Sequence, residues 1–233
     1  MPGLFYFDPT YILVIIGSLI VMAASGYMQS TYRRYSQVKS KRGLTGEAVA
    51  RLILRNENLY DVSIGRVPGR LSDNYNPKKK VLNLSEGSRE GISIADIGVA
   101  AHECGHAIQD EEMYWPLKLR GVLVPITNIG AILSWPIILL GIILGMNETL
   151  INIGVILFLF VFFFQLVTLP VEFNASRRAM NALESYGIMD QEELAGTKKV
   201  LRAAALTYVA AAAATLLQVL RLFLLFGGRK DED

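Results

Sequence analysis

Charged residues are distributed very unevenly along the chain. Four stretches carry none: residues 9–28, 121–147, 149–171 and 203–220. The last resumes after Arg221 as far as residue 228. A helix needs about 20 mostly apolar residues to cross a bilayer. The pattern therefore predicts four transmembrane helices: one over 9–28, a hairpin of two within 121–171, and one over 203–228. The fourth contains the alanine run Ala210 to Ala214 and ends near Arg221, which either snorkels to the interface or faces the bundle. The alternative for that run is an amphipathic helix lying on the membrane surface.

Between the first and second spans the periodicity changes. Residues 29–120 read as a small α+β unit. Thr45 is placed to cap a helix, with Val49, Leu52 and Ile53 at helical spacing after it. Val62, Ile64 and Val67 suggest a strand closed by Pro68-Gly69, and Asn76-Pro77 is a turn signal. Residues 81–84 read as a second strand. Ser93 and Asp96 form a capping-box pattern that opens a helix through Val99, His102, His106 and Gln109.

Composition narrows the picture further. The 233 residues are 52% hydrophobic with a net charge of only +2, which excludes a nucleic-acid binder relying on basicity. A single cysteine excludes a disulfide framework or a cysteine-built zinc site. No basic residue precedes the first apolar run, so it is read as a span rather than a cleaved secretory signal. Fifteen of the 23 Lys and Arg residues lie between the first and second spans, and five between the third and fourth. Positive residues stay on the cytoplasmic side. This places the N-terminus outside and gives residues 29–120 and 172–202 one shared cytoplasmic face. The basic run Lys78, Lys79, Lys80 is read as a solvated loop on that face.

Only two histidines exist, and they fall in His102-Glu103-Cys104-Gly105-His106. In H-E-x-x-H on a helix, residues i and i+4 lie on one face, so both imidazoles can reach one metal ion. Zinc suits two imidazoles and a carboxylate with one position left for water, whose proton Glu103 would take as general base. Chance placement of two histidines and a glutamate in this pattern is on the order of 5 in 10,000, low for a short motif. Cys104 points off the histidine face and reads as a small packed residue. The third protein ligand must be a carboxylate. Asp96, Asp110, Glu111, Glu112, Glu172, Glu184, Glu192 and Glu193 share the expected membrane side. Glu172 stands out because it directly follows the third span, where a carboxylate is costly unless partnered. A metal ion, Arg177 or Arg178 would each serve. The short turn between the second and third spans would bring the motif helix and Glu172 to the same end of a hairpin.

The stretch Leu71-Ser72-Asp73-Asn74-Tyr75-Asn76-Pro77, the strand 81–85, the helix carrying A-A-H-E-C-G-H-A-I-Q and the segment L-P-V-E-F-N-A-S-R-R-A together resemble the YugP-like bacterial membrane zinc metallopeptidases. The likeness covers essentially the whole chain. It implies a gluzincin-type site with one zinc ion held by His102, His106 and Glu172, and with Glu103 as catalytic base. In the more distant HtpX and CAAX prenyl-protease relatives, the third-ligand helix reads E-x-x-x-D. Here the Asp position is Ser176, so support for a histidine is either weaker or comes from another residue such as Asn174. The resemblance also suggests that an extended substrate pairs with strand 81–84. Tyr75, Asn74, Arg177 and Arg178 are possible oxyanion stabilisers, but each reads more readily as a structural hydrogen bond or a phospholipid contact, and none is taken as catalytic.

The expected fold class is a mainly α membrane protein: about four transmembrane helices with a small cytoplasmic α+β zincin-like catalytic domain. The expected function is zinc-dependent endopeptidase activity on membrane or membrane-proximal proteins at the cytoplasmic face of a bacterial cell membrane. Its partners are then protein substrates and the lipid bilayer, not nucleic acid. A site-2-type intramembrane protease would put the motif inside an apolar span, and the charges flanking it here argue against that. The rival from another class is a catalytically silent metal-binding membrane scaffold.

Overall fold

The computed structural model describes residues 8–227. The chain is mainly helical, with one small sheet. In order, the elements are α1 (Tyr11–Tyr35), α2 (Gly46–Asn56), β1 (Ser63–Val67), β2 (Asn74–Asn76), β3 (Val81–Ser85), α3 (Glu86–Glu90), α4 (Ile94–Glu111), α5 (Trp115–Ile143), α6 (Glu148–Ser185) and α7 (Gln191–Phe226). Four helices, α1, α5, α6 and α7, are long and apolar enough to cross a membrane. The third and fourth apolar runs are parts of longer helices. α6 has 38 residues and α7 has 36, so each exceeds the roughly 20 residues a bilayer core requires. The described chain divides into two compact units.

The first unit contains residues 8–25, 119–168 and 207–227. Its surface is rich in exposed Ile, Leu, Val and Phe, as expected of helices solvated by lipid rather than water. Its helices meet through small residues. Gly17 of α1 lies so close to Ala214 of α7 that an added Cβ would stand 3.3 Å from it. Gly154 of α6 lies against Ser134 and Ile138 of α5. Such close approaches are how membrane helices gain packing where no hydrophobic drive acts between them. Arg221 faces the bundle. It is buried, pairs with Asp8 at 3.3 Å and stacks over the Tyr11 ring at 4.1 Å.

The second unit contains residues 26–118 and 169–206. Thr45 caps α2 by accepting from the Ala48 N–H, and Ser93 caps α4 by accepting from the Asp96 N–H. Between these helices lies a sheet of order β1-β3-β2. β1 pairs with β3 in parallel and β2 pairs with β3 antiparallel. The strand expected to receive substrate is therefore the central one. Both of its edges are engaged by chain neighbours, and its Ser85 N–H is taken by the Asp73 carboxylate at 2.7 Å. That expectation is corrected: backbone pairing with a further strand has only the outer edges of β1 and β2 to use. Leu82 and Leu84 on β3 pack into a core with Val49 and Ile53 of α2, Ile94, Ile97 and Ala101 of α4, and Leu183 and Ile188. α4 is surrounded, which is why 13 of its 18 residues are buried, including polar ones.

Candidate metal centre

The site begins with the contact between α4 and the C-terminal part of α6. Gly105 makes it possible. A Cβ there would overlap the Ala175 carbonyl oxygen and stand 2.9 Å from its carbon. Backbone against backbone, α4 turns His102 and His106 toward α6 one turn before Ala175, which is where Glu172 projects. His102 Nε2 lies 3.2 Å from Glu172 Oε2, and His106 Nε2 lies 3.8 Å from the same oxygen. The two rings meet edge to face with centroids 4.8 Å apart. One ligand atom from each of the three residues lies within 4.8 Å of the others.

These distances suit a divalent ion. Zinc ligated by nitrogen and oxygen at about 2.0–2.1 Å sets ligand atoms roughly 3.3 Å apart along a tetrahedral edge. The donor chemistry agrees. Glu172 is only 2% exposed, and a carboxylate so deeply buried demands a positive partner. Burial pushes its carboxyl up, but hydrogen bonding, first from His102 at 3.2 Å, pulls it down further. It rests below the ordinary carboxylate range and stays ionised. Neither Arg177 nor Arg178 serves as that partner. Arg177 is exposed. Arg178 grips Glu112 through both terminal nitrogens at 2.6 Å and donates from Nε to Asn174 at 2.7 Å. Glu103, next to His102, is buried in the same helix. Cys104 points away into the core. Burial pushes its thiol well up from the ordinary range, so it is a poor ligand.

The backs of the imidazoles are also held. His102 Nδ1 contacts the Ser176 hydroxyl at 3.1 Å. His106 Nδ1 lies 3.0 Å from Gln109 Oε1. The Gln109 amide nitrogen donates to the Val171 carbonyl at 2.8 Å and to Asn174 Oδ1 at 2.9 Å. Sequence reasoning named Asn174 as a possible support, took Ser176 as a weaker substitute for Asp, and gave Gln109 no role. The available signal was its spacing, three residues after His106 and on the same helix face. The other oxyanion candidates are engaged elsewhere. The Tyr75 hydroxyl donates to Asp110 at 2.9 Å, and burial beside that carboxylate pushes its phenol up. Asn74 bonds Ser72 and Asn83. The remaining acidic candidates lie in other networks: Asp96 accepts from Tyr32 and Ser93, Asp110 also pairs with Lys80, and Glu193 accepts from the Lys41 N–H.

Membrane-length helices together with a largely buried cluster of two histidines and a glutamate are what a membrane-bound metallopeptidase would need. Residues 10–227 match the family described as "Putative neutral zinc metallopeptidase", and the chain belongs to that family. It is 45% identical over 206 residues to "Putative membrane protease YugP" of Bacillus subtilis (strain 168), a match covering 88% of this chain and 91% of that relative. No solved structure matches it.

Proposed function

We propose that the protein is a zinc-dependent endopeptidase that hydrolyses peptide bonds of membrane or membrane-proximal proteins from the cytoplasmic side. The observation that carries this reading is the convergence of His102, His106 and Glu172, with Glu103 next to His102 in sequence. Membership of a zinc metallopeptidase family supports it. One zinc ion held by these three residues would supply Lewis-acid activation of water and of the scissile carbonyl.

The chain's own residues do the rest. Glu172 balances part of the ion's charge and, being ionised, is ready to bind. Ser176 can donate to or accept from His102 Nδ1, so its hydroxyl follows the proton state of that ring. Glu103 accepts the proton of the attacking water and passes it to the leaving amine. The closely packed α4–α6 contact at Gly105 keeps the ligands in place while Glu103 works. The cytoplasmic orientation rests on the Lys and Arg distribution, and the proximity of substrate to the membrane rests on the four apolar helices.

The test is cleavage of an unstructured protein by purified protein and by Glu103→Gln, with zinc measured in both. Loss of cleavage with retained zinc is the expected result. If both hold one zinc and neither cleaves, the protein is a metal-stabilised scaffold.

A further inference from the structure

The hydrogen bonds behind His106 form a chain whose polarity is fixed at one end. Arg178 is an obligate donor, because a guanidinium has no acceptor. Its Nε lies 2.7 Å from Asn174, so the atom there must be the amide oxygen. That oxygen also receives Gln109 at 2.9 Å, so the Gln109 atom facing it must be the amide nitrogen. The same nitrogen faces the Val171 carbonyl at 2.8 Å, a second acceptor that forbids the flipped amide. Gln109 therefore presents its oxygen to His106, and the ring nitrogen 3.0 Å away must carry a hydrogen. We propose that Gln109, its amide oriented by the Val171 carbonyl and by Asn174 under Arg178, fixes the proton of His106 on Nδ1 and leaves Nε2 as the nitrogen available to a metal ion.

Three observations support a purpose-built relay. Gln109 is fully buried, unusual for glutamine, and both of its amide hydrogens are used. Arg178 is itself anchored by a two-pronged pair with Glu112, the C-cap just beyond α4. The Val171 carbonyl belongs to the residue immediately before Glu172, so Gln109 ties one imidazole to the turn that carries the acid. The contrast with His102 is informative: its partner, the Ser176 hydroxyl, can donate or accept and imposes no tautomer. Gln109, Asn174 and Arg178 are thus positioning residues. The proposal rests on reading His106 as a ligand through Nε2.

The sequence contains only two histidines, so the test is tractable. Zinc-free protein without a histidine tag is labelled with 15N-histidine, held in detergent and studied by NMR at about pH 9, above the ordinary imidazole range of ~6.5. His102→Gln assigns the two rings. The expected wild-type result is His106 with its proton on Nδ1. Gln109→Met, which removes the acceptor behind His106, should give a mixture of tautomers and weaken zinc binding about tenfold, as loss of support behind a ligand does. Asn174→Asp keeps an acceptor toward both donors and should retain the wild-type tautomer. A proton on Nε2 in wild type overturns the proposal without any variant, so failure of Gln109→Met to fold does not rescue it. A Gln109→Met protein with wild-type tautomer and affinity overturns it too, as does an Asn174→Asp protein that scrambles. Wild-type protein that shows the tautomer yet takes up no zinc removes the peptidase reading and leaves the tautomer assignment standing.

Discussion

Replacing Gly105 with alanine separates the geometry of the site from its chemistry, because no ligand is touched. The added methyl would stand 2.9 Å from the Ala175 carbonyl carbon and overlap its oxygen. Carbon atoms prefer separations of about 3.5–4.0 Å, so α4 and α6 must part by about 1 Å. Overpacking of this kind costs about 1–3 kcal/mol. Alanine returns close to 1 kcal/mol through its higher helix propensity, so the metal-free protein should lose only about 0–2 kcal/mol. Zinc binding should suffer more, since good sites hold ligand distances within about 0.2 Å. At zinc concentrations a hundred times the wild-type Kd, binding stabilises the native state by about 2.7 kcal/mol. A hundredfold loss of affinity would cut that to about 0.4 kcal/mol. The assay is a zinc titration of the melting temperature in detergent, with Gly87→Ala as control because a Cβ there meets nothing within 4 Å. A Gly105→Ala protein with the wild-type zinc response would refute the close-contact reasoning.

Glu172→Ala should abolish stoichiometric zinc, and a chelator that lowers the wild-type melting temperature should leave the variant unmoved. Tyr32→Phe removes a 2.6 Å hydrogen bond to Asp96 and should cost about 1.5 kcal/mol of unfolding free energy by denaturant titration, with zinc content unchanged. Hydrogen bonds from Arg89 and Arg51 hold the Glu47 carboxyl below its ordinary value of 4.5. A depressed carboxylate contributes stability that is complete above that value and lost as pH falls through the lowered one. Wild type should therefore be more stable than Glu47→Gln near neutrality, with the difference shrinking at acid pH; a gap that widens below 4.5 would contradict this sign.

The features legible in the sequence were those with a local physical signature. Charge-free runs marked the spans, and Thr45 and Ser93 announced α2 and α4 because a hydroxyl before an apolar-periodic segment satisfies open N–H groups. The i, i+4 histidines needed only helical geometry to share a face. β2 had no such signature: Asn74-Tyr75-Asn76 lacks an apolar alternation, and β3 alongside it and Asp110 beneath Tyr75 hold it in place. α3 is five residues, too short to show a period, and includes Gly87. Strand order is a tertiary property, so the interior place of β3 could not be read from 81–84 alone. Gln109 escaped notice for a related reason. A polar residue on a helix face reads as solvated until the neighbouring helix is known to bury it.

The placement of Cys104 has a practical consequence for topology. The protein's sole sulfhydryl is enclosed behind α4, donates toward the Ala50 carbonyl at 3.8 Å, and is held protonated by burial. Maleimides should pass over it in the native state. A single cysteine engineered into any exposed loop then becomes the one alkylatable handle, so membrane-impermeant reagents can map the sidedness of each loop without first stripping the native thiol.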